Sequence, residues 1–434
     1  MRIKKILKSK NETVTIIGIG YVGLPLACLC GSKGYKTFGI AKEKNKVKLI
    51  NNGKSPMQDD LQLSKWVAQK SFTATTSYDS VKKSDILIVC VPTPVDDQNN
   101  PDLGPIRQVC KRIAKDLKKG QLVIIESTVN PGVCEEVVQP ILENGSGLKA
   151  GKDFYLAHSP ERIDPGNTKW NVVNIPRCVG ALSKKGLALA VKFYSHILDG
   201  DVRPMKSIKE AEATKIIENS FRDINIAFVN ELAKSFEVLG IDLVDVIEGA
   251  KTKPFAFMAH YPSLGVGGHC IPVDPYYLIE RARLSGFDHQ FLKLARKINN
   301  SMPSYTVDRL TEALNEIKKS IKGTRVGVLG LSYKANVGDL RESPALELID
   351  LLKDEGAQVE VYDQFFPGRS TAKNLVDLLK KVEVIVIATD HKDIKEIPLA
   401  SLKKHGIRIV VDGKNCLDKD KIIKMGIIYR GIGR

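Results

Sequence analysis

Short apolar runs, separated by polar stretches long enough to hold a crossover helix, set the pattern of the first half of the chain. Val14 to Ile17 is apolar, Gly18 to Gly23 breaks the run, and Leu24 to Ser32 resumes apolar residues at helical spacing. That succession predicts a strand, a tight turn and a helix. Further strand-like runs stand at Lys36 to Ile40, Ile86 to Val91, Leu122 to Ile125 and Phe154 to Ala157. Apolar runs alternating with crossover-length segments predict a parallel, doubly wound sheet. From Ser207 to Leu239 the period changes: Ala211, Thr214, Ile217, Ile224, Phe228, Leu232 and Phe236 recur at helical spacing, with no proline and no glycine before Gly240. One long helix is expected there, of the kind that joins two domains or builds a dimer interface. Helical patterning continues through Pro275 to Asn300 until Met302-Pro303 interrupts it. A second α/β block opens at Arg325 to Gly330, with further strand-like runs at Gln358 to Tyr362, Val384 to Ala388 and Ile407 to Val411. The expected fold is α/β, with two Rossmann-like doubly wound parallel-sheet domains, 1–204 and 303–434, joined by a helical central domain, 205–302. No repeat at solenoid period and no low-complexity tract is visible.

At 434 residues, 43% hydrophobic and 27% charged, the chain is long enough for two or three domains with sizeable cores. No stretch approaches the roughly 18 uninterrupted apolar residues of a membrane span, and Met1 to Lys10 is basic with no apolar segment behind it, so a soluble cytoplasmic protein without a membrane partner is expected. The eight cysteines form no CxxC pair and lie near no histidine at zinc spacing; free thiols and no metal site are expected. Sixty-six Lys+Arg against 50 Asp+Glu give a net charge of +16, which favours an anionic partner. The basic residues are spread along the chain without interleaved aromatics, which points to a phosphorylated metabolite and away from nucleic acid.

Gly18-Ile19-Gly20-Tyr21-Val22-Gly23 follows a predicted strand and opens a predicted helix. Glycines at this spacing permit the turn, the backbone's approach to a pyrophosphate and close packing of helix on strand, while the helix N-terminus offers free N–H groups to the anion. The pattern calls for an acid about 20 residues on to bond the ribose hydroxyls. That place is held by Ala41; Glu43 could stand in for it, or Lys42 could admit a 2′-phosphate. Val91-Pro92-Thr93-Pro94 and Glu126-Ser127-Thr128 close predicted strands and should face the crevice at the carboxyl ends of the sheet. Gly265-Val266-Gly267-Gly268-His269-Cys270 sets a thiol behind glycines that let backbone approach a substrate, and Asp274 follows at i+4, placed to order a water or a lysine. His269 is adjacent to the cysteine in sequence, and such a neighbour usually points elsewhere. Lys215 and Asn219 share one face of the long helix, continued by Arg222, and Glu161 in Ser159-Pro160-Glu161-Arg162 offers a carboxylate to activate water.

Taken in order, GIGYVGLPLA, CVPTP, ESTV, HSPERIDPGN, KIIEN, GVGGHCIPVDPYYL and LGLSYKANVGDLRESP resemble the UDP-glucose/GDP-mannose dehydrogenase family over nearly the whole chain. The resemblance implies an NAD-binding domain, a central domain for dimerisation and the cysteine loop, and a UDP-sugar-binding domain. It also implies a four-electron oxidation of a sugar-nucleotide C6 alcohol to the acid, by way of a Cys270 thiohemiacetal and thioester. Within the family, Ser159-Pro160-Glu161-Arg162, Asp164-Pro165-Gly166-Asn167, Lys253-Pro254-Phe255 and Asn300-Ser301-Met302-Pro303 are similar to enzymes acting on UDP-N-acetylhexosamines, UDP-N-acetylglucosamine first. Carried over residue by residue, Lys215 would act on the oxyanions or as acid/base, Asn219 would donate beside it, and Glu161, Asp274 and Thr128 would handle the water. Gly18, Gly20, Tyr21, Val22, Gly23, Glu43, Thr93, Thr128 and Arg341 would hold NAD. Glu161, Arg162, Lys215, Asn219, Arg222, Gly267 and Lys334 would hold the nucleotide sugar. Two departures stand out: Ala41 for the family's ribose-binding aspartate, and Lys414 where an arginine is usual. The alternatives are the same chemistry on UDP-N-acetylmannosamine, UDP-glucose or GDP-mannose, a single-step NADP-dependent hydroxyacid dehydrogenase, and a dinucleotide-sensing regulator without turnover. The thiol in the glycine loop counts against the last.

Overall fold

The computed structural model describes residues 12–57, 60–96, 98, 100–163, 167 and 169–434. The basic start Met1 to Lys10 and three members of the Asp164-Pro165-Gly166-Asn167 segment, Asp164, Pro165 and Gly166, lie outside the described residues. The chain groups into two compact units, one of residues up to Glu218 with Tyr276–Phe287, the other of Asn219–Pro275 with Asp288–Arg434. The division at Glu218 and Asn219 falls inside the long helix, Ile208–Val238, and so inside the segment 205–302.

Among its described residues the first unit carries eight strands: β1 (Thr13–Ile17), β2 (Lys36–Ile40), β3 (Thr73–Thr75), β4 (Ile86–Val89), β5 (Leu122–Ile125), β6 (Tyr155–His158), β7 (Arg177–Ala181) and β8 (Val202–Pro204). Their order is β3-β2-β1-β4-β5-β6-β7-β8, whose first six follow the doubly wound 3-2-1-4-5-6 arrangement. The strands from β3 to β6 pair in parallel. Alternation explains why these strands read as unbroken apolar runs. Ile86 and Ile88 of β4 enter one core with Val14, Ile16 and Ile124, while Leu87 and Val89 enter the other with Ile17, Val123 and Ile125, so both faces of the sheet are covered.

Two strands, β7 and its parallel neighbour β8, depart from the all-parallel expectation. β7 runs antiparallel to β6, pairing Ala157 with Ala181 and His158 with Gly180. This reversal brings the first residue of β7, Arg177, to the carboxyl edge of the parallel strands.

The second unit holds β9 (Arg325–Leu329), β10 (Gln358–Tyr362), β11 (Val384–Ile387), β12 (Ile409–Asp412) and β13 (Ile428–Gly431), all parallel, in the order β10-β9-β11-β12-β13. Again both faces are buried, with Val326, Val328, Val384 and Val386 on one side and Leu329, Ile385, Ile387 and Val410 on the other. The helical pattern through Pro275 to Asn300 resolves into two helices, Asp274–Leu284 and Gln290–Asn300, and Met302–Glu316 follows with Pro303 in its first turn. Proline is tolerated there because the first turn's N–H groups have no intrahelical partner. Among the described residues no helix is long and apolar enough to cross a membrane.

Candidate functional site

In the first unit the site is built on the carboxyl ends of β1, β4, β5 and β6. The three glycines of the turn after β1 divide the labour. Gly18 has φ +96° and donates its N–H to Ile40 O at 2.9 Å; a Cβ added there would stand 2.5 Å from the Cys90 carbonyl oxygen. Gly23, the first residue of the helix Gly23–Ser32, packs directly on the Gly18 carbonyl. Gly20 differs: a Cβ added to it meets nothing within 4 Å, so its backbone borders open space in front of the helix N-terminus. Two glycines that close the turn and one that leaves room for an anion fit a dinucleotide pyrophosphate. Tyr21 is 45% exposed, and Val22 caps the helix without a side-chain bond.

The neighbouring loops are tied down. Thr93, after β4, is buried and its carbonyl accepts from the Tyr277 hydroxyl. Thr128, after β5, is half-buried next to Ser127, whose hydroxyl donates to Val91 O at 2.8 Å. Ala41 follows β2 directly, buried, with its N–H on Thr75 O; Lys42 and Glu43 are exposed, Glu43 at the N-cap of Lys44–Asn51 without a side-chain capping bond.

Glu161 has a role that the spacing did not reveal. Its carboxylate is buried, accepts from the N–H groups of Arg162 at 2.6 Å and Ile163 at 2.8 Å, and is paired with Arg177. Arg177 is fully buried and also pairs with Glu126 at 3.1 Å, which accepts in turn from the Tyr194 hydroxyl. Burial pushes the Glu126 carboxyl up, partly offset by the Arg177 guanidinium. A carboxylate so engaged pins the turn after β6. Arg162 is likewise committed, to Glu218 at 2.5 and 3.0 Å and to Pro176 O at 2.9 Å. Lys215, half-buried on the long helix, lies near enough for its charge to reach His158; burial first and Lys215 second push that imidazole down to about 3, so it is neutral.

In the second unit the cysteine loop is built against the 331–344 segment. A Cβ on Gly267 would meet Glu342 O and Tyr333 Cβ at 2.6 Å, and one on Gly268, at φ +88°, would strike the Tyr333 ring. Gly268 N–H donates to Arg341 O at 2.9 Å. The side of each glycine on which a side chain would stand is therefore filled by the protein's own chain. Of the eight cysteines Cys270 is the exposed one; Cys416 is half-exposed and the rest are buried. The Cys270 carbonyl accepts from Asp274 N–H at 2.8 Å, at the start of the helix Asp274–Leu284. The buried Asp274 carboxylate accepts from Asn219 Nδ2 at 2.6 Å. The backbone of Cys270 and the Asn219 amide are thus both tied to Asp274.

Arg222 is exposed on the long helix and Lys334 is half-buried. Arg341 forks onto Asp339 at 2.6 to 3.1 Å. Beside the loop lies a cavity of about 200 Å³ bordered by Val266, Pro272, Arg296, Asn300, Glu342 and Glu347. Lys414, half-buried after β12, has its ammonium pushed down by burial. Sequence reasoning set Glu126 at a strand end facing the crevice but did not find its partners Arg177 and Tyr194, because a lone arginine or tyrosine carries no spacing signal of a contact so distant in the chain.

Comparison with known proteins finds matches along the chain. Residues 12–198 match the NAD binding domain of the UDP-glucose/GDP-mannose dehydrogenase family, residues 209–301 its central domain and residues 327–419 its UDP binding domain. The UDP-N-acetyl-D-mannosamine dehydrogenase of Pyrococcus horikoshii is 35% identical over 97% of this chain and 99% of its own. The UDP-N-acetyl-D-glucosamine 6-dehydrogenase of Pseudomonas aeruginosa is 35% identical over 95% of this chain and 99% of its own. The solved structure of the Pyrococcus horikoshii UDP-D-ManNAc dehydrogenase superposes with a TM-score of 0.90 over 97% of this chain and 99% of that one.

Proposed function

The chain belongs to the UDP-glucose/GDP-mannose dehydrogenase family, and from that premise we propose that it oxidises C6 of a UDP-N-acetylhexosamine, UDP-N-acetylglucosamine first, from alcohol to carboxylate. The observation that carries the reading is the exposed Cys270, whose backbone carbonyl accepts from the N–H of Asp274, the residue whose carboxylate accepts from Asn219.

The open space at Gly20 and the helix N-terminus behind it fit NAD, held by Gly18 to Gly23 with Thr93 and Thr128. When bound, NAD supplies the hydride acceptor for both oxidations. Once the alcohol has become an aldehyde, Cys270 Sγ adds to the carbonyl carbon and the oxygen takes a proton, giving a thiohemiacetal that keeps the intermediate on the enzyme. Oxidation of that adduct leaves a thioester; water attacks it, the C–S bond breaks, and the thiol and the uronic acid are released. Lys215 and Asn219, one turn apart on the same helix, stabilise the developing oxyanions, and Lys215 exchanges the protons. Asp274, oriented by Asn219, receives the proton of the attacking water. Glu161, held by Arg177, fixes the turn after β6. Arg222, Gly267 and Lys334 hold the nucleotide sugar, and Arg341 and Glu43 complete the cofactor contacts.

The test is absorbance of the reduced nicotinamide with the purified protein, NAD and UDP-N-acetylglucosamine, repeated with UDP-N-acetylmannosamine, UDP-glucose, GDP-mannose and NADP. Two NADH per UDP-N-acetylglucosamine consumed is expected. One per sugar, or turnover with none of these sugars, refutes the double oxidation.

We also propose that two copies pair through the long helix. Ile217, Phe221 and Phe228, at i, i+4 and i+11, are 59%, 46% and 55% exposed, a stripe that a soluble surface helix seldom leaves bare. Light scattering should give a dimer mass for the native chain and a monomer for Phe228→Glu; a monomeric native chain sinks the pairing.

A further inference from the structure

His158 ends β6 with no exposed surface, and neither ring nitrogen has a hydrogen-bond partner among the described residues. Buried polar atoms are almost always satisfied, and one that is not asks for a role or for an unseen water or ion. The surroundings of this ring point to an ion. A His158 nitrogen, the Cys134 sulfur and a Glu212 carboxylate oxygen lie within 4.8 Å of one another, and all three residues are buried.

We propose that Cys134, His158 and Glu212 form a binding site for one divalent transition-metal ion of borderline softness, Zn²⁺ being the natural occupant. Thiolate, imidazole and carboxylate are the ligand types that zinc takes, at about 2.0–2.3 Å, which sets ligand atoms about 3.3–3.8 Å apart. The present limit of 4.8 Å exceeds this by about an ångström, which side-chain rotation can close. Charge balances: on binding, the Cys134 thiol loses its proton to solvent as the S–metal bond forms, and with the Glu212 carboxylate it neutralises the dication. The supporting bonds of a metal ligand are already in place, because Glu212 accepts from the N–H of Gly132 at 2.6 Å and of Cys134 at 2.8 Å, which orient its carboxylate. Cys134 also opens a single π-helical turn, Cys134–Val138, a distortion that proteins place at functional sites.

The ion would clamp three elements: the end of β6, the π-turn and the first turns of the long helix. Lys215 lies three residues beyond Glu212, so a metal there fixes the backbone that carries it. No step of the proposed oxidation uses the ion, so this site stands or falls apart from that reading.

The experiment is elemental analysis of the purified full chain, stripped with a chelator, dialysed against Zn²⁺ and passed over a desalting column. One zinc per chain is expected in the native protein and in Cys270→Ser, which removes the exposed thiol. Less than a tenth of that is expected in Cys134→Ser and His158→Gln. Equal zinc in the native chain and in both of these variants, or loss of the zinc on Cys270→Ser, overturns the site. Because the two buried substitutions could unfold the chain, Co²⁺ is added to the native protein as a second reading. An intense thiolate-to-cobalt absorption band and a rise in Tm with added Zn²⁺ are expected, and absence of both overturns it.

Discussion

Replacing Gly20 by alanine should separate cofactor binding from folding, because the three glycines of the turn after β1 face different surroundings. At Gly20 an added Cβ meets no protein atom within 4 Å and the backbone is not left-handed, so Gly20→Ala should change stability by less than about 0.5 kcal/mol. The methyl group then occupies the space in which the pyrophosphate meets the backbone. Losing one or two N–H bonds to a charged phosphate, at about 1.5–3 kcal/mol each, lowers NAD affinity by roughly ten- to a hundredfold or more. At Gly18 the same change forces a side chain to φ +96° and drives Cβ to 2.5 Å from the Cys90 carbonyl oxygen. Left-handed strain of about 1–2 kcal/mol and overpacking of about 1–3 kcal/mol give a loss near 3 kcal/mol. For a unit of this size that is a fall in Tm of roughly 6–12 °C. Thermal unfolding and calorimetric titration with NAD on Gly18→Ala, Gly20→Ala and the native chain make the comparison. If Gly20→Ala loses as much Tm as Gly18→Ala, or binds NAD as tightly as the native protein, the division of roles is refuted.

Cys270→Ser should lower uronic acid formation by at least about a thousandfold, since the covalent capture is gone, while NAD binding measured by titration stays unchanged; undiminished acid production sinks the thioester route. Arg177→Met leaves Glu126 and Glu161 buried without their shared cation and should destabilise the first unit by about 3–5 kcal/mol, read as a fall in denaturation midpoint; a change under about 1 kcal/mol would show that the ion pair holds little. Asp363 is buried, which pushes its carboxyl up, but bonds from His391 and from the N–H groups of Leu331 and Ser332 outweigh this and hold it well below the usual range. A depressed folded value stabilises above the unfolded value of about 3.9 and is lost as pH falls below it, so Asp363→Asn should flatten the decline of Tm between about pH 5 and pH 3. An unaltered slope would place the acid sensitivity elsewhere.

The elements easiest to read from sequence were those buried on both faces. β1, β4 and β5 are unbroken apolar runs because residues of either parity enter a core, and the long helix showed itself through its period and its lack of glycine. β7 and β8 were not legible: Arg-Cys-Val-Gly-Ala and Val-Arg-Pro carry charge and proline, and they lie at one end of the sheet. At the site, the turn glycines and Cys270 were recognisable because their chemistry rests on residues adjacent in the chain.

Local sequence therefore determined what depends on short spacing: the strand–turn–helix that fits a dinucleotide, the glycine loop that precedes an exposed thiol, and the α/β succession itself. Tertiary structure alone decided the rest. Glu161 is occupied by Arg177 because an antiparallel strand returns that arginine to the carboxyl edge of the sheet. Gly267 and Gly268 are required because Tyr333 and Glu342 press on them from a segment more than 60 residues away. Cys134, His158 and Glu212 meet only where a π-turn, a strand end and a helix converge. The physical reason is common to all three: a side chain's partners, and hence its charge state and use, are set by contacts between distant segments, and no spacing along the chain encodes them.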